Sequence, residues 1–205
     1  FQLLDRSIQQ FDVDLVIDAG DITDRGAPFE NNLLQPIAEL EVPYVYIDGN
    51  HDSRSGPNST HAAMEALPNV VMLGGQTQEI AGLNIIGSSD PRFTPNLSQE
   101  RNDEEELRAQ SNGLAQGIAR SALPADIAVV HDPEAASQVY GTVPYVLSGH
   151  VHHFEQETIE GTLNITSGTT GGSGLRAFEN GEVATPRTAM RAHRMSPKMP
   201  ASVTP

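Results

Sequence analysis

The sequence predicts an α/β fold in which β-sheets and helices form layers. Short apolar runs, each typical of a strand buried on both faces, alternate with segments whose apolar residues have helical spacing. Later in the chain, short runs are joined by Gly-containing turns, a pattern typical of β-hairpins. The 205 residues are enough for one domain with a substantial core.

The first half of the chain is predicted to begin with an amphipathic helix over residues 1–11. The elements predicted after it are a strand at 15–19, a helix at 28–40, a strand at 43–47, a helix at 59–67 and strands at 70–73, 76–80 and 83–86. Ala81-Gly82 is predicted to form a hairpin turn between the last two strands. Pro36 lies in the middle of the 28–40 helix, where proline is unfavourable.

The second half is predicted to contain a loop, one long helix and four strands. The loop covers residues 88–97, the helix 99–123, and the strands 127–130, 145–147, 155–160 and 163–166. Pro133 is well placed as the first residue of a short helix, and Gly161 as a hairpin turn. Residues 167–174 are interpreted as a flexible Gly-rich connector, because they lack the Lys-Ser/Thr of a P-loop. The domain is predicted to span residues 1–183, and residues 184–205, which lack periodicity, to form a disordered tail.

Polar side chains follow four of the predicted strands at the point where each strand ends. One Asp or His at a strand end is usually a turn or cap residue. Four such ends, however, supply a set of N and O ligands of the kind that binds Mn, Fe, Zn or a mixed pair. Because α/β folds gather ligands at the carboxyl ends of their strands, the sequence predicts a metal site there. The residues are Asp21, Asn50 and His51, His131, and His150 and His152.

Gly149-His150-Val151-His152 places two imidazoles two residues apart after an apolar run. In an extended segment, residues i and i+2 point to the same side, so we expect His150 and His152 to face one ligand together. An isolated His-x-His is more often a pair of surface histidines. The other three polar clusters favour the metal interpretation.

The order and spacing of these motifs resemble the calcineurin-like metallophosphoesterase family. The motifs are Gly20-Asp21-x-x-Asp24, Gly49-Asn50-His51-Asp52, a strand-terminal His131 and Gly149-His150-x-His152. The resemblance covers about residues 15–152. It implies a four-layer αββα sandwich of two mixed β-sheets flanked by helices, with a site for two divalent metal ions (Mn, Fe, Zn or a mixed pair) at the sheet edges.

The resemblance also implies which residues bind these ions. Asp21 would bridge both metals. Asn50, His131 and His150 would complete one site, and His152 would bind at the other.

The implied reaction is hydrolysis of a phosphomonoester or phosphodiester by attack of a metal-bound hydroxide. His51 would protonate the leaving oxygen or stabilise charge on the phosphoryl group, and Asp24 would orient a neighbouring ligand or His51. Arg54 and Arg92 are candidate phosphate contacts in the loops that would set the substrate, with ordinary surface charge as the alternative.

One motif of the family is absent, because no Asp-x-His precedes Asp21. We therefore expect that the chain is truncated at its N-terminus and lacks the first strand of the fold, which would lie upstream of Phe1. Asp12-Val13-Asp14 is no substitute, since it lies in the turn before the 15–19 strand. A second interpretation stays open: a catalytically impaired relative that serves as an interaction or metal-binding module.

Composition limits the partners. The formal net charge of −15 argues against strong nucleic-acid binding, which needs a basic surface, although the family includes nucleases. A small phosphorylated substrate remains compatible, because bound cations invert the local field. No apolar run approaches the roughly 20 residues of a membrane helix, so we expect a soluble domain without membrane contact; any signal or anchor would lie upstream of Phe1.

Overall fold

The computed structural model describes residues 2–94 and 103–168. Its helices and strands, in chain order, are α1 (Gln2–Phe11), β1 (Val16–Asp18), β2 (Tyr44–Tyr46), α2 (Thr60–Glu65), β3 (Val70–Met72), β4 (Gln78–Ile80), β5 (Leu83–Gly87), α3 (Asp103–Arg120), β6 (Ile127–Val129), β7 (Tyr145–Ser148), β8 (Glu155–Ile159) and β9 (Thr162–Thr166). Short 3-10 helices lie at Glu30–Leu33, Gln35–Glu39 and Pro133–Ala136. None of the helices in these described ranges is both long and apolar enough to cross a membrane.

The strands form two sheets. The smaller sheet has the order β1-β2-β3 and is parallel throughout. The larger sheet has the order β4-β5-β6-β7-β9-β8; it is parallel from β5 to β9, and an antiparallel hairpin lies at each edge. The predicted turn at Ala81-Gly82 is present, with both residues in the left-handed region that tight hairpin turns require.

Alternating side chains divide the core into three layers of contact. In β2, Val45 packs between the sheets, whereas Tyr44 and Tyr46 pack beneath the helices on the outer face. On the opposite side, Leu107 and Leu114 of α3 cover the outer face of the larger sheet. The result is helix, sheet, sheet, helix, so the predicted αββα fold class is confirmed. The expectation that both sheets are mixed is wrong for the smaller one, because its described strands are all parallel.

The predicted helix over residues 28–40 is wrong in type. The chain forms two 3-10 helices there, with Leu34 between them at φ −85° and ψ −19°. Pro36 explains the difference, because it has no N–H for a helical hydrogen bond and its ring would clash with the carbonyl four residues earlier. Leu34 and Ile37 are nevertheless buried, so the segment still covers the smaller sheet.

Several predictions fall wholly or partly outside the described residues. They are residues 99–102 of the long helix, the end of the 88–97 loop, most of the Gly-rich 167–174 segment and the disordered tail at 184–205. The 1–183 domain boundary likewise stays a prediction.

Asp18, at the end of β1, combines a partly buried carboxylate with two hydrogen bonds. Tyr44 donates its hydroxyl to Oδ2 at 2.6 Å, and the Gly20 N–H donates to Oδ1 at 2.9 Å. Burial raises the pKa of Asp18 to about 6, even though both hydrogen bonds act to lower it.

We expect the Asp18 titration to make folding stability depend on pH. Because the pKa is higher in the folded state than in the unfolded chain, folding takes up a proton, and the free energy of unfolding falls as pH rises to about 6. Denaturant unfolding of the parent and of Asp18→Asn, both in EDTA, measures this effect. The variant should gain about 1 kcal/mol relative to the parent between about pH 5 and pH 7.5. A difference that does not change with pH would contradict the raised pKa.

Candidate metal centre

The candidate centre lies where β1, β2, β6 and β7 end. Parallel neighbours place their carboxyl ends at the same edge of a sheet, so the residues that follow them meet there. In the larger sheet, Val129 is paired with Leu147, and beyond this pair the Gly149 N–H donates to the His131 carbonyl at 2.9 Å. This register places His131 beside His150.

Four of the predicted ligands meet at this edge. Asn50 Oδ1 lies 2.9 Å from His131 Nε2 and 3.2 Å from His150 Nδ1. The two ring nitrogens are 3.2 Å apart, and Asp21 Oδ2 lies 3.4 Å from His131 Nε2. The ligand atoms of Asp21, His131 and His150 all lie within 4.8 Å of one another.

The hydrogen bonds around the cluster turn its lone pairs inward. His131 Nδ1 lies 2.7 Å from the Ala19 carbonyl, which can only accept, so Nδ1 carries the hydrogen and Nε2 faces the cluster. The Asn50 amide N–H donates to the Thr94 hydroxyl, and Oδ1 of the same amide faces the cluster. Oriented imidazoles of this kind are typical of metal ligands.

The donor set fits a divalent cation. Neighbouring ligand atoms around an ion with bonds of about 2.0–2.2 Å are separated by roughly 3–3.4 Å, which is close to the four contact distances given above, 2.9, 3.2, 3.2 and 3.4 Å. One carboxylate, one amide oxygen and two imidazoles also suit Mn, Fe or Zn. Without a cation, the converging lone pairs would repel one another unless a histidine were protonated.

Electrostatics within the cluster follow from burial and from the contact between Asp21 and His131. Burial alone would raise the pKa of Asp21, but His131 and the His51 N–H outweigh it and hold the pKa below its ordinary value. Burial likewise opposes protonation of His131, yet the Asp21 contact raises its pKa. The pKa of His150 is lowered by burial and by the neighbouring His131. Asp21 therefore remains anionic, as a cation ligand must.

Asp52 organises the two loops that carry Asp21 and Asn50. Its carboxylate is fully buried and accepts from the N–H groups of Asp21 at 2.7 Å, Gly49 at 2.8 Å and Thr23 at 2.9 Å. Asp21 is held in the left-handed region, at φ 62°, which is strained for a residue with a side chain. A Cβ on Gly49 would overlap the Asp21 carboxylate, so this close approach requires glycine.

His51 lies directly beside Asp21, and its ring is anchored by Asp24. The His51 N–H donates to Asp21 Oδ1 at 2.8 Å, and His51 Nδ1 lies 2.8 Å from the Asp24 carbonyl oxygen. Because a carbonyl only accepts, Nδ1 carries a hydrogen, and any proton exchanged with a substrate must use Nε2. Asp24 thus contacts His51 through its backbone. Its loop is held by Glu30, whose carboxylate accepts from the Asp24 N–H at 2.8 Å and the Ala27 N–H at 2.7 Å.

His152 is placed differently from His150. The expected extended conformation is wrong, because both residues lie in the left-handed region, at φ 66° for His150 and 59° for His152. Strand alternation therefore does not apply. His150 reaches the cluster, whereas His152 is exposed and is not among the described residues whose ligand atoms come together. Its role as a metal ligand stays a prediction.

The two candidate phosphate contacts also differ. Arg92 is only 8% exposed, and its guanidinium binds Asp90 through two hydrogen bonds and Asp132 through a third. It is therefore not a surface charge, and its role as a phosphate contact stays a prediction. Arg54 is exposed; it donates to the Pro91 carbonyl at 2.7 Å and lines a pocket of about 460 Å³ between the 88–91 loop and α3.

Sequence reasoning missed three residues that support the centre: Asp52, Asp132 and Glu30. Asp52 could have been found, because it is the last residue of the Gly49-Asn50-His51-Asp52 motif. Asp132 directly follows His131, and Glu30 lies in a predicted helix. Nothing in the sequence around either residue indicates which groups it contacts.

The sequence profile of the calcineurin-like phosphoesterases matches residues 1–154. The chain therefore belongs to this family, and its membership supports metal-dependent phosphoester hydrolysis as the general class of activity.

Individual relatives are distant. A protein of Helicobacter pylori described as an uncharacterized metallophosphoesterase is 23% identical over 155 residues, which cover 71% of this chain and 37% of the relative. The chain thus spans little more than a third of that protein. Among solved structures, a putative 5'-nucleotidase from Staphylococcus aureus matches with a TM-score of 0.50 and 16% identity, covering 82% of this chain and 42% of that one. Another crystal structure matches with a TM-score of 0.54 and 13% identity, covering 80% and 83%. These likenesses concern the fold.

Proposed function

We propose that this domain hydrolyses a phosphomonoester or phosphodiester by direct attack of water at a centre for two divalent ions, Mn, Fe, Zn or a mixed pair. One observation carries the proposal: a carboxylate, an amide oxygen and two imidazole nitrogens converge beside a histidine whose ring is independently anchored. A histidine cluster with only a structural role would not need a separately anchored histidine such as His51 beside it.

The residues have separate tasks in this reaction. Asp21, Asn50, His131 and His150 would hold one cation, and Asp21 with His152 would contribute to a second. When bound, such cations would lower the pKa of a water molecule and neutralise charge on the phosphoryl oxygens. His51 then donates a proton from Nε2 to the leaving oxygen, while the Asp24 carbonyl keeps the ring in place.

A catalytically impaired metal-binding or interaction module is the second candidate. It is favoured by one observation: within the described part of the chain, one group of three His and Asp residues comes together, and His152 lies outside it. Such a module would bind a cation without turnover.

Hydrolysis of p-nitrophenyl phosphate and bis(p-nitrophenyl) phosphate, with Mn²⁺ or with EDTA, tests the proposal. Turnover should require Mn²⁺, disappear in EDTA and return when Mn²⁺ is added back, because the cation supplies the charge that activates the water. His150→Ala should remove it. His153→Ala is the matched control, since this exposed histidine pairs with Glu155 and not with the cluster.

Elemental analysis of the same samples separates the two candidates. Turnover together with about two Mn ions per chain supports the dinuclear enzyme. One ion without turnover on either substrate supports the binding module, and turnover that persists in EDTA or in His150→Ala contradicts both.

A further inference from the structure

A short segment after β5 contacts the candidate metal centre from two sides without contributing a predicted ligand. This segment, residues 90–94, is fixed at its start by the Asp90 N–H, which donates to the Asp48 carbonyl at 2.9 Å. At its end, the Thr94 N–H donates to the Asn50 carbonyl at 2.7 Å. It therefore runs alongside the loop that carries Asn50.

We propose that residues 90–94, acting together with Asp132, form a brace that orients the ligand atoms of Asn50 and His150 toward the cation. The inference rests on the proposed metal site and assigns positioning residues to it. None of the brace residues is itself a proposed ligand.

Thr94 orients Asn50. The amide of Asn50 could point either its oxygen or its nitrogen at the cluster, and only the oxygen can bind a cation. The Thr94 hydroxyl accepts from the amide nitrogen and so holds the amide in the orientation whose oxygen faces His131 and His150.

Arg92 and Asp132 orient His150. The Asp132 Oδ1 caps the following 3-10 helix by accepting from the Glu134 N–H at 3.0 Å. Its Oδ2 accepts from Arg92 at 2.7 Å and lies 3.5 Å from His150 Nε2. A carboxylate beside Nε2 favours the tautomer with the hydrogen on that atom, which leaves the Nδ1 lone pair for the cation.

The burial of these charges supports a positioning role. Asp90 is fully buried, Asp132 is 6% exposed and Arg92 is 8% exposed. Burying one cation with two carboxylates is costly, and apolar replacements are often at least as stable, so fold stability alone is a weak reason to bury them. A positioning role explains the burial better, because apolar side chains could not hold the Asp132 carboxylate in place next to His150.

Mn²⁺ affinity of the full chain, measured by isothermal titration calorimetry, tests the brace. Asp132→Asn and Thr94→Val should each weaken Mn²⁺ binding by about 10–100-fold, the loss typical when a partner of a metal ligand is removed. Asparagine keeps the helix cap, and Arg92 keeps both bonds to Asp90, so Asp132→Asn should remain folded. Thr94→Ser, which retains the hydroxyl, should restore the parent affinity.

Matched controls are Asp126→Asn and Thr77→Val. The Asp126 carboxylate, directly before β6, accepts from the Asn84 N–H, and the Thr77 hydroxyl is buried with no hydrogen-bond partner among the described residues. Both should bind Mn²⁺ like the parent. Brace variants within twofold of the parent, or controls that lose as much affinity as the brace variants, would overturn the brace while leaving the metal site intact. A parent chain that binds no Mn²⁺ would overturn the site and the brace together.

Discussion

Asp21→Ala is expected to abolish measurable Mn²⁺ binding. Asp21 is the anionic member of the described cluster, and its removal leaves an amide oxygen and two neutral imidazoles. His131 also loses the carboxylate that raises its pKa. Elemental analysis after gel filtration in Mn²⁺ measures the effect, and Asp14→Ala, an exposed carboxylate in the turn before β1, is the control.

A second substitution, Asp21→Asn, distinguishes loss of the ligand from misfolding at this position. Asp21 has a positive φ, which alanine tolerates less well than asparagine. Asp21→Asn keeps the size and the backbone preference and removes the charge, so it should lose Mn²⁺ as well. If either variant kept the full metal content of the parent, Asp21 could not be the central ligand.

His51→Ala is expected to lower kcat by about 10²–10⁴-fold, the usual contribution of a positioned general acid, with little change in metal content. The contact between His51 and Asp21 uses the backbone N–H, which alanine retains, so the ligand keeps its support. Steady-state kinetics and elemental analysis on the same preparation measure the two quantities separately.

The leaving group sharpens this test. An alkoxide needs a proton more than p-nitrophenolate does, so the loss of kcat in His51→Ala should be greater for an alkyl phosphate than for p-nitrophenyl phosphate. Equal losses for both substrates, or metal loss in proportion to kcat, would contradict the role of His51 as a proton donor that does not bind metal.

Local patterns were sufficient to predict the strands that carry the centre. β1, β2, β6 and β7 are short apolar runs bounded by polar residues, and each lies within a predicted strand or overlaps it closely. Because β1 and β2 are parallel neighbours in one sheet and β6 and β7 in the other, each sheet gathers its own pair of ligands; the packing of the two sheets then brings the pairs together. Pro36 shows the limit of a periodic pattern, since the apolar spacing around it survives in a segment that is not an α-helix.

Features that depend on distant partners were out of reach. His150 and His152 have positive φ beyond the end of β7, and the alternation of side chains along a strand cannot predict this conformation. From the sequence, Arg92 is a candidate phosphate contact or a surface charge; its pairing with Asp132, 40 residues away, could not be predicted. A sequence pattern identifies the kinds of side chain at a site, whereas their pairing depends on the assembled fold.

The four converging ligands come from segments that are far apart along the chain: Asn50 and His150 are separated by 100 residues. An unfolded chain would have to close large loops to bring them together, at a cost in conformational entropy, so it offers no equivalent site. A cation that binds only the folded chain therefore adds its binding free energy to folding, about 2.7 kcal/mol at a free concentration 100 times the Kd. The same ion would therefore couple the folding of the two halves of the chain, so that they unfold as one cooperative unit.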